Sequence, residues 1–244
     1  MLAIDVMGGD HGPRSTINGI KMASKIYPNV RFKLFGDKRS SESELKKHNL
    51  ENCEFFHTDE SIKSDDEPVS ALRKLKKSSM RLGINNVSDR IADGFVSAGN
   101  TGALMAISKF VLRTISGIDR PAIAGLMPTL KGQTVILDLG ANVDCSNKNL
   151  VQFALMGDIF SQAVLGIQKP KIGLLNVGSE LIKGNEIVKQ THSDLKNIKE
   201  KINFHGFVEG SDINKGIVDV VVTDGFSGNI ALKTAEGVAE LIFT

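Results

Sequence analysis

The chain has 244 residues, 41% of them hydrophobic and 24% charged, enough to bury a sizeable core as one large or two small globular units. A net charge of +2, from 30 Lys and Arg against 28 Asp and Glu, supplies no broad basic field for nucleic acid, and 5% aromatics without a Trp leave no stacking platform for single strands. No stretch reaches transmembrane length, the start lacks a basic segment followed by a long apolar run, and Cys53 and Cys145 form no disulfide framework, so a cytoplasmic protein is expected.

In chain order, Leu2 to Met7 reads as a strand that runs into Gly8-Gly9-Asp10-His11-Gly12-Pro13. A helix is expected over Ile17 to Ile26, a strand over Val30 to Phe35, a charged helix around Glu42 to His48 and a short strand at Phe55-Phe56. Pro68 suits a first helical turn, and Val69, Leu72, Leu75 and Ile84 predict one apolar stripe along a single helix. Arg73, Lys74, Lys76, Lys77 and Arg81 crowd the rest of that helix, either as a solvated face or as a docking surface for an acidic partner.

Phe95-Val96 then forms a strand, Ser97 to Gly102 a tight turn, and Ala103 onward a helix capped by Asn100 or Thr101. A helix start of this kind aims unpaired N–H groups and the positive end of its dipole at an anion. Strands follow at Ile123 to Pro128 and Thr134 to Leu139, the second ending in Gly140-Ala141-Asn142-Val143-Asp144-Cys145. An amphipathic helix over Leu150 to Leu165 precedes a strand at Lys171 to Val177 and a turn from Gly178 to Asn185. A helix from Glu186, strands at Ile202 to Val208 and Ile217 to Val222, the turn Asp224 to Asn229 and an Ala-rich helix complete the chain.

Five strands thus end in Gly-containing turns with polar side chains that lead into helices, a pattern that predicts a mostly parallel sheet with helices on both faces. Ligands of such sheets bind beyond the carboxyl ends of the strands, so the five turns are expected to share one cleft. No Gly-x-Gly-x-x-Gly follows the first strand, and Lys131-Gly132-Gln133-Thr134 lacks the rest of a P-loop, which disfavours dinucleotides and nucleoside triphosphates. His11, His48, His57, His192 and His205 have no ligand-like spacing, so neither a metal nor an organic cofactor is expected. Backbone N–H groups, neutral amides and a few charges, with Lys183 the leading cation, suit a small oxyanion such as phosphate.

The segments Met7 to His11, Val96 to Ala106, Asp119 to Ala122, Leu139 to Cys145, Lys183 to Glu186 and Asp224 to Lys233 resemble, in order and from Met1 to the last residue, the bacterial phosphate acyltransferases of phospholipid synthesis. Members of that family are usually longer, which implies that a C-terminal portion is missing from a single α/β domain covering 1–244. The chain departs from the family at Ser179, where Glu is expected, and this removes the carboxylate from that position. The resemblance implies a three-layer α/β/α architecture of the isocitrate dehydrogenase and phosphotransacetylase kind. It further implies transfer of a long-chain acyl group from acyl carrier protein to inorganic phosphate, a homodimer and loose attachment to the inner face of the membrane.

Phosphate is already a nucleophile, so the expected machinery positions it and stabilises the oxyanion, with no activated Ser or Cys. Gly99, Asn100, Thr101, Gly102 and Asn142 are assigned to phosphate binding; the catalytic set is Lys183 as the cation on phosphate, Asn185 and Asn229 as neutral donors, and His11 or Asp10 handling a proton or orienting a neighbour. Arg73, Lys76 and Lys77 are assigned to carrier-protein docking. Each has a plainer role beside it: Asp10, Asp144 and Asp224 as caps, Asn142 and Asn229 as turn residues, Lys233 as a solvated helix residue. Three alternatives stay open: an acyl-enzyme on Cys145, a short-chain phosphotransacylase using acyl-coenzyme A, and a non-catalytic module that binds phosphate or carrier protein.

Overall fold

The computed structural model describes residues 1–48 and 50–243. The chain divides into two compact units, Met1–Ile115 and Ser116–Thr244, each built on its own sheet.

In the first unit, β1 (Leu2–Asp5), β2 (Phe32–Gly36), β3 (Cys53–His57) and β4 (Gly94–Val96) form a parallel sheet in the order β3-β2-β1-β4. Side chains alternate across it. Ile4, Phe32 and Leu34 pack on Ile17 and Ile20 of α1 (Gly12–Ile26), while Ala3 and Phe35 turn to the opposite face with Ala92 and Leu82. On that second face lie α4 (Ser79–Ser88) and then α5 (Thr101–Leu112), joined through Met80, Ile84, Ala103 and Ile107. Between β2 and β3 runs α2 (Lys38–Lys47), whose Asp37 cap accepts from the N–H groups of Arg39 and Ser40.

The single helix expected from Val69 to Ile84 is two helices, α3 (Pro68–Lys74) and α4. The loop after β3 takes the backbone between them: Thr58 Oγ1 donates to the Lys77 carbonyl at 2.6 Å, and the Lys77 N–H donates to Glu60 Oε2 at 3.0 Å. Ser78 then caps the new helix by accepting from the Arg81 N–H. The apolar period continues across the break, so periodicity alone could not reveal it.

In the second unit, β5 (Ala124–Thr129), β6 (Gly132–Leu137), β7 (Lys171–Leu175), β8 (Asn203–Val208) and β9 (Val220–Val222) form a sheet in the order β5-β6-β9-β7-β8, with only β5 antiparallel. Val135, Leu137, Val220, Val222, Ile172 and Leu174 face Leu150 and Phe153 of α6 (Asn147–Phe160), whereas Ile136 and Val221 face Ala231 and Leu232 of α9 (Gly225–Phe243). Full burial of a side chain the size of Phe153 contributes about 1.5–3 kcal/mol. The apolar pattern expected to be helical to Leu165 continues past α6 as a π-helical turn, Ser161–Leu165, and stops at Gly166 in the left-handed region. Helix α7 (Glu186–Asn197) follows β7, and a short α8 (Gly210–Ile213) precedes β9.

Helices on both faces of mostly parallel sheets agree with the expected fold class. The five polar junctions are distributed over two sheets: those after β1 and β4 on the first, those after β6, β7 and β9 on the second. Among the described residues no helix is long and apolar enough to cross a membrane.

Candidate active site

In the first unit, the carboxyl ends of neighbouring β1 and β4 are tied by a buried acid that the sequence reading passed over. Asp5 accepts from the Met7 N–H at 3.0 Å and from Ser97 Oγ at 2.8 Å, and Ser97 Oγ in turn accepts from the Gly99 N–H at 3.0 Å. Gly8 is required here, since a Cβ on it would stand 2.6 Å from the Gly99 nitrogen. The turn assigned to phosphate is thereby fixed on both sides.

Asn100 caps α5, accepting from the Ala103 N–H at 2.9 Å, while its amide donates to the carbonyls of Lys63, Ser64 and Asp66. Its side chain therefore holds the turn and the 63–66 loop, and what remains for a ligand is the N–H groups of the first helical turn beside exposed Thr101 and Gly102. His11 occupies the cap position of α1 without a capping hydrogen bond, and Asp10 and His11 are both exposed.

In the second unit, three helix starts converge on one edge. The cap of α6 is Ser146, which accepts from the Asn149 N–H, and the cap of α7 is Asn185, which accepts from the Val188 N–H at 2.9 Å. At the start of α9, Asp224 accepts from the N–H of Ser227 at 2.8 Å and from its hydroxyl at 3.0 Å. The segment expected to be a turn from Asp224 to Asn229 is thus the first turn of the helix, and its glycines serve close packing: a Cβ on Gly228 would collide with the Asp138 carbonyl oxygen. Two adjoining hollows of about 380 and 440 Å³ open between these starts, sharing Leu150, Asn185, Val188, Asp224 and Ser227 as a common wall. First-turn N–H groups without a helical partner and the positive ends of three dipoles favour an anion there.

The β6 junction is organised by Asp138, fully buried and also missed from the sequence. Its carboxylate accepts from the N–H groups of Ile123, Gly140, Ala141 and Asn142 and from the Asn142 amide, all within 3.1 Å. Asn142 directs its amide at Asp138 and at the Pro121 carbonyl, so both of its donor protons already have protein partners. Asn229 donates to the Leu139 carbonyl at 3.2 Å and links α9 to the same junction. One signal would have found both acids: Asp5 and Asp138 each end an apolar strand run, in Ala-Ile-Asp-Val and Ile-Leu-Asp-Leu, where a charge is tolerated only with a full set of donors.

Lys183 pairs with Glu180 at 3.0 Å, which holds the Glu180 carboxyl below its ordinary value, and its stem folds back over Gly178. Asn176 closes that loop through the Gly178 and Lys183 carbonyls and lines the smaller hollow with Asn185. A second cation is tied to Asp144, which lines the larger hollow. Arg120 donates from its guanidinium to the Asp144 carbonyl at 3.2 Å and has no ion-pair partner among the described residues. Burial pushes the Cys145 thiol up to about 11, and the favourable charge of Arg120 is too weak to offset it.

Arg73, Lys76 and Lys77 are exposed at the α3–α4 break and so do not share one helix face. The histidine spacing also concealed a grouping of Asp37, His57 and Asp59. His57 Nδ1 accepts from the Lys38 N–H at 3.1 Å and Nε2 lies 3.2 Å from Asp59, so the ring's two nitrogens are satisfied by the protein itself.

The α/β fold is one shared by solved phosphotransacylases and dehydrogenases: the EutD phosphotransacetylase from Staphylococcus aureus aligns over 98% of this chain and 82% of its own, with a TM-score of 0.70 at 17% identity, and a 4-hydroxythreonine-4-phosphate dehydrogenase from Klebsiella pneumoniae over 96% and 84%, with a TM-score of 0.57 at 13%. Sequence narrows the class further. The family model described as "Fatty acid synthesis protein" matches residues 1–244. The phosphate acyltransferase of Paramagnetospirillum magneticum is 54% identical over 100% of this chain and 70% of its own length, and that of Parvibaculum lavamentivorans is 50% identical over 99% and 68%. The chain belongs to this phosphate acyltransferase family.

Proposed function

We propose that the protein transfers a long-chain acyl group from the thioester of acyl carrier protein to inorganic phosphate. The observation that carries this reading is the convergence of three helix starts on the hollow beside Asn185 and Ser227 in a member of this family. An oxygen of hydrogen phosphate attacks the thioester carbonyl carbon, and the carbonyl oxygen becomes an oxyanion. As the C–O bond forms and the C–S bond breaks, the proton of hydrogen phosphate passes to the departing sulfur, leaving acyl phosphate and the free thiol. Nothing in this sequence calls for an enzyme nucleophile, and the Cys145 thiol, held protonated by burial, is poorly suited to be one.

The chain's own work is to bind and orient. N–H groups at the starts of α7 and α9 and the exposed Asn185 amide supply donors, a single well-aimed one being worth on the order of 3 kcal/mol to an oxyanion. Arg120 and Lys183 supply positive charge in the second unit, and the Ser97–Thr101 turn presents a separate set of N–H groups in the first. Arg73, Lys76 and Lys77 steer the acidic carrier, a role supported by their charge and exposure. A cytoplasmic homodimer with loose attachment to the inner face of the membrane belongs to the same proposal, and the family resemblance is its sole support.

The test incubates the protein with phosphate and a palmitoyl thioester of acyl carrier protein and traps product as hydroxamate. Phosphate-dependent hydroxamate formation is expected. Its absence with both carrier-protein and coenzyme A donors would leave only a binding module, and product from coenzyme A alone would assign the short-chain alternative.

A further inference from the structure

We infer that Val143, Ile187 and Phe226 form a collar that receives the fatty acyl chain at the mouth of the larger hollow of the second unit, an inference that rests on the proposed acyl-transfer reading. Single exposed apolar side chains are ordinary, but several gathered at the rim of one hollow mark a ligand-binding groove or an interaction surface. Here Val143 is 60% exposed, Ile187 44% and Phe226 58%, and all three line the 440 Å³ hollow. They come from three different junctions, after β6, at the start of α7 and at the start of α9, so their meeting is a product of the tertiary fold.

The floor beneath them is apolar as well. Leu150, Val188 and Cys145 are buried there, and Cys145 donates to the Asn142 carbonyl at 3.4 Å, so its sulfur packs as a small hydrophobe. Of the polar groups, Asn185, Asp224 and Ser227 stand on the wall shared with the smaller hollow, while exposed Asp144 lines the larger hollow alone. A hollow with an apolar floor and three apolar side chains at its mouth, joined by a polar wall to helix N-termini, matches an acyl phosphate in kind: an alkyl tail on one side and an anionic head on the other.

The experiment measures binding of non-reactive alkylphosphonates with tails of 4, 6, 8, 10 and 12 carbons by calorimetry, to the intact protein and to Phe226→Ser, Val143→Ser and the double variant. Each methylene buried in the collar should tighten binding about fourfold, as expected from about 0.8 kcal/mol per CH₂. In the double variant the gain per methylene should fall below roughly twofold across the carbons that reach the collar. A slope that is the same in all variants would place the chain elsewhere and overturn the inference. So would an unchanged slope accompanied by altered sedimentation, which would make the collar a protein–protein face. Thermal melts confirm that the variants fold. The phosphonate slope is read without turnover, so loss of hydroxamate formation would overturn the proposed reaction while the slope still reports on the collar.

Discussion

At the scale of single residues, the two cations separate by environment. Lys183 is paired to Glu180 and folded over its own loop, whereas Arg120 donates to the carbonyl of Asp144, which lines the larger hollow, and forms no ion pair among the described residues. Replacing Arg120 by Ala is expected to raise the phosphate KM by roughly ten- to a hundredfold, the worth of one charged hydrogen bond. Lys183→Ala is expected to act less strongly, because a half-exposed ion pair contributes little. Initial rates against phosphate concentration decide the order, and equal KM values in both variants and the parent would remove both cations from the site. Cys145 provides a second prediction at this scale. With its thiol pushed up to about 11, it should resist iodoacetamide at pH 7.5 in the folded protein, and Cys145→Ser should keep hydroxamate formation within about threefold. Loss of activity in a folded Cys145→Ser protein would revive the acyl-enzyme route.

At the scale of elements, the helices were read most dependably where a cap and a buried stripe coincide. Asn100 and Asn185 were legible as turn residues at helix starts, and both cap as a short polar side chain before an apolar run should. The α3–α4 break was illegible, since it is made by Thr58 and Glu60, residues about 19 and 17 positions upstream of Lys77. Helix α7 adds a prediction of its own. His192 packs against the rings of Phe204 and Phe207, 5.3 and 4.5 Å away, and burial, with a smaller contribution from Lys196, lowers its pKa from 6.5. The unfolded chain therefore takes up a proton near pH 6.5 that the folded chain refuses until lower pH, so stability must fall as pH drops below that value. Urea midpoints measured from pH 7.5 to 5 should decline, and His192→Leu should decline less; parallel curves would show that other groups govern the acid side.

At the scale of the whole molecule, charge says little in total and more by location. The net charge of +2 gives no general attraction, yet Arg73, Lys76 and Lys77 stand exposed within five positions. Reversing Lys76 and Lys77 to Glu should raise the KM for acyl carrier protein several-fold at low salt, with the difference shrinking as salt screens it, while the phosphate KM stays constant. An unchanged carrier KM and salt dependence would exclude this surface from docking.

The sequence by itself determined the strand-and-helix alternation, the polar turns at five strand ends and, through ordered motifs along the full chain, the family. Those features are local or collinear, and local chemistry suffices to read them. Only the tertiary structure decided how the strands pair. In the second sheet β9, a fully buried run of three valines late in the chain, inserts between β6 and β7, which carries the Asp224–Ser227 helix start between the loops of Asn142 and Asn185. Strand order is set by burial and hydrogen bonding between segments far apart in sequence, so no turn motif states its own neighbour. The same reason hid Asp5 and Asp138: each is an ordinary acid at the end of an apolar run until the fold supplies the N–H and hydroxyl donors that make its burial tolerable.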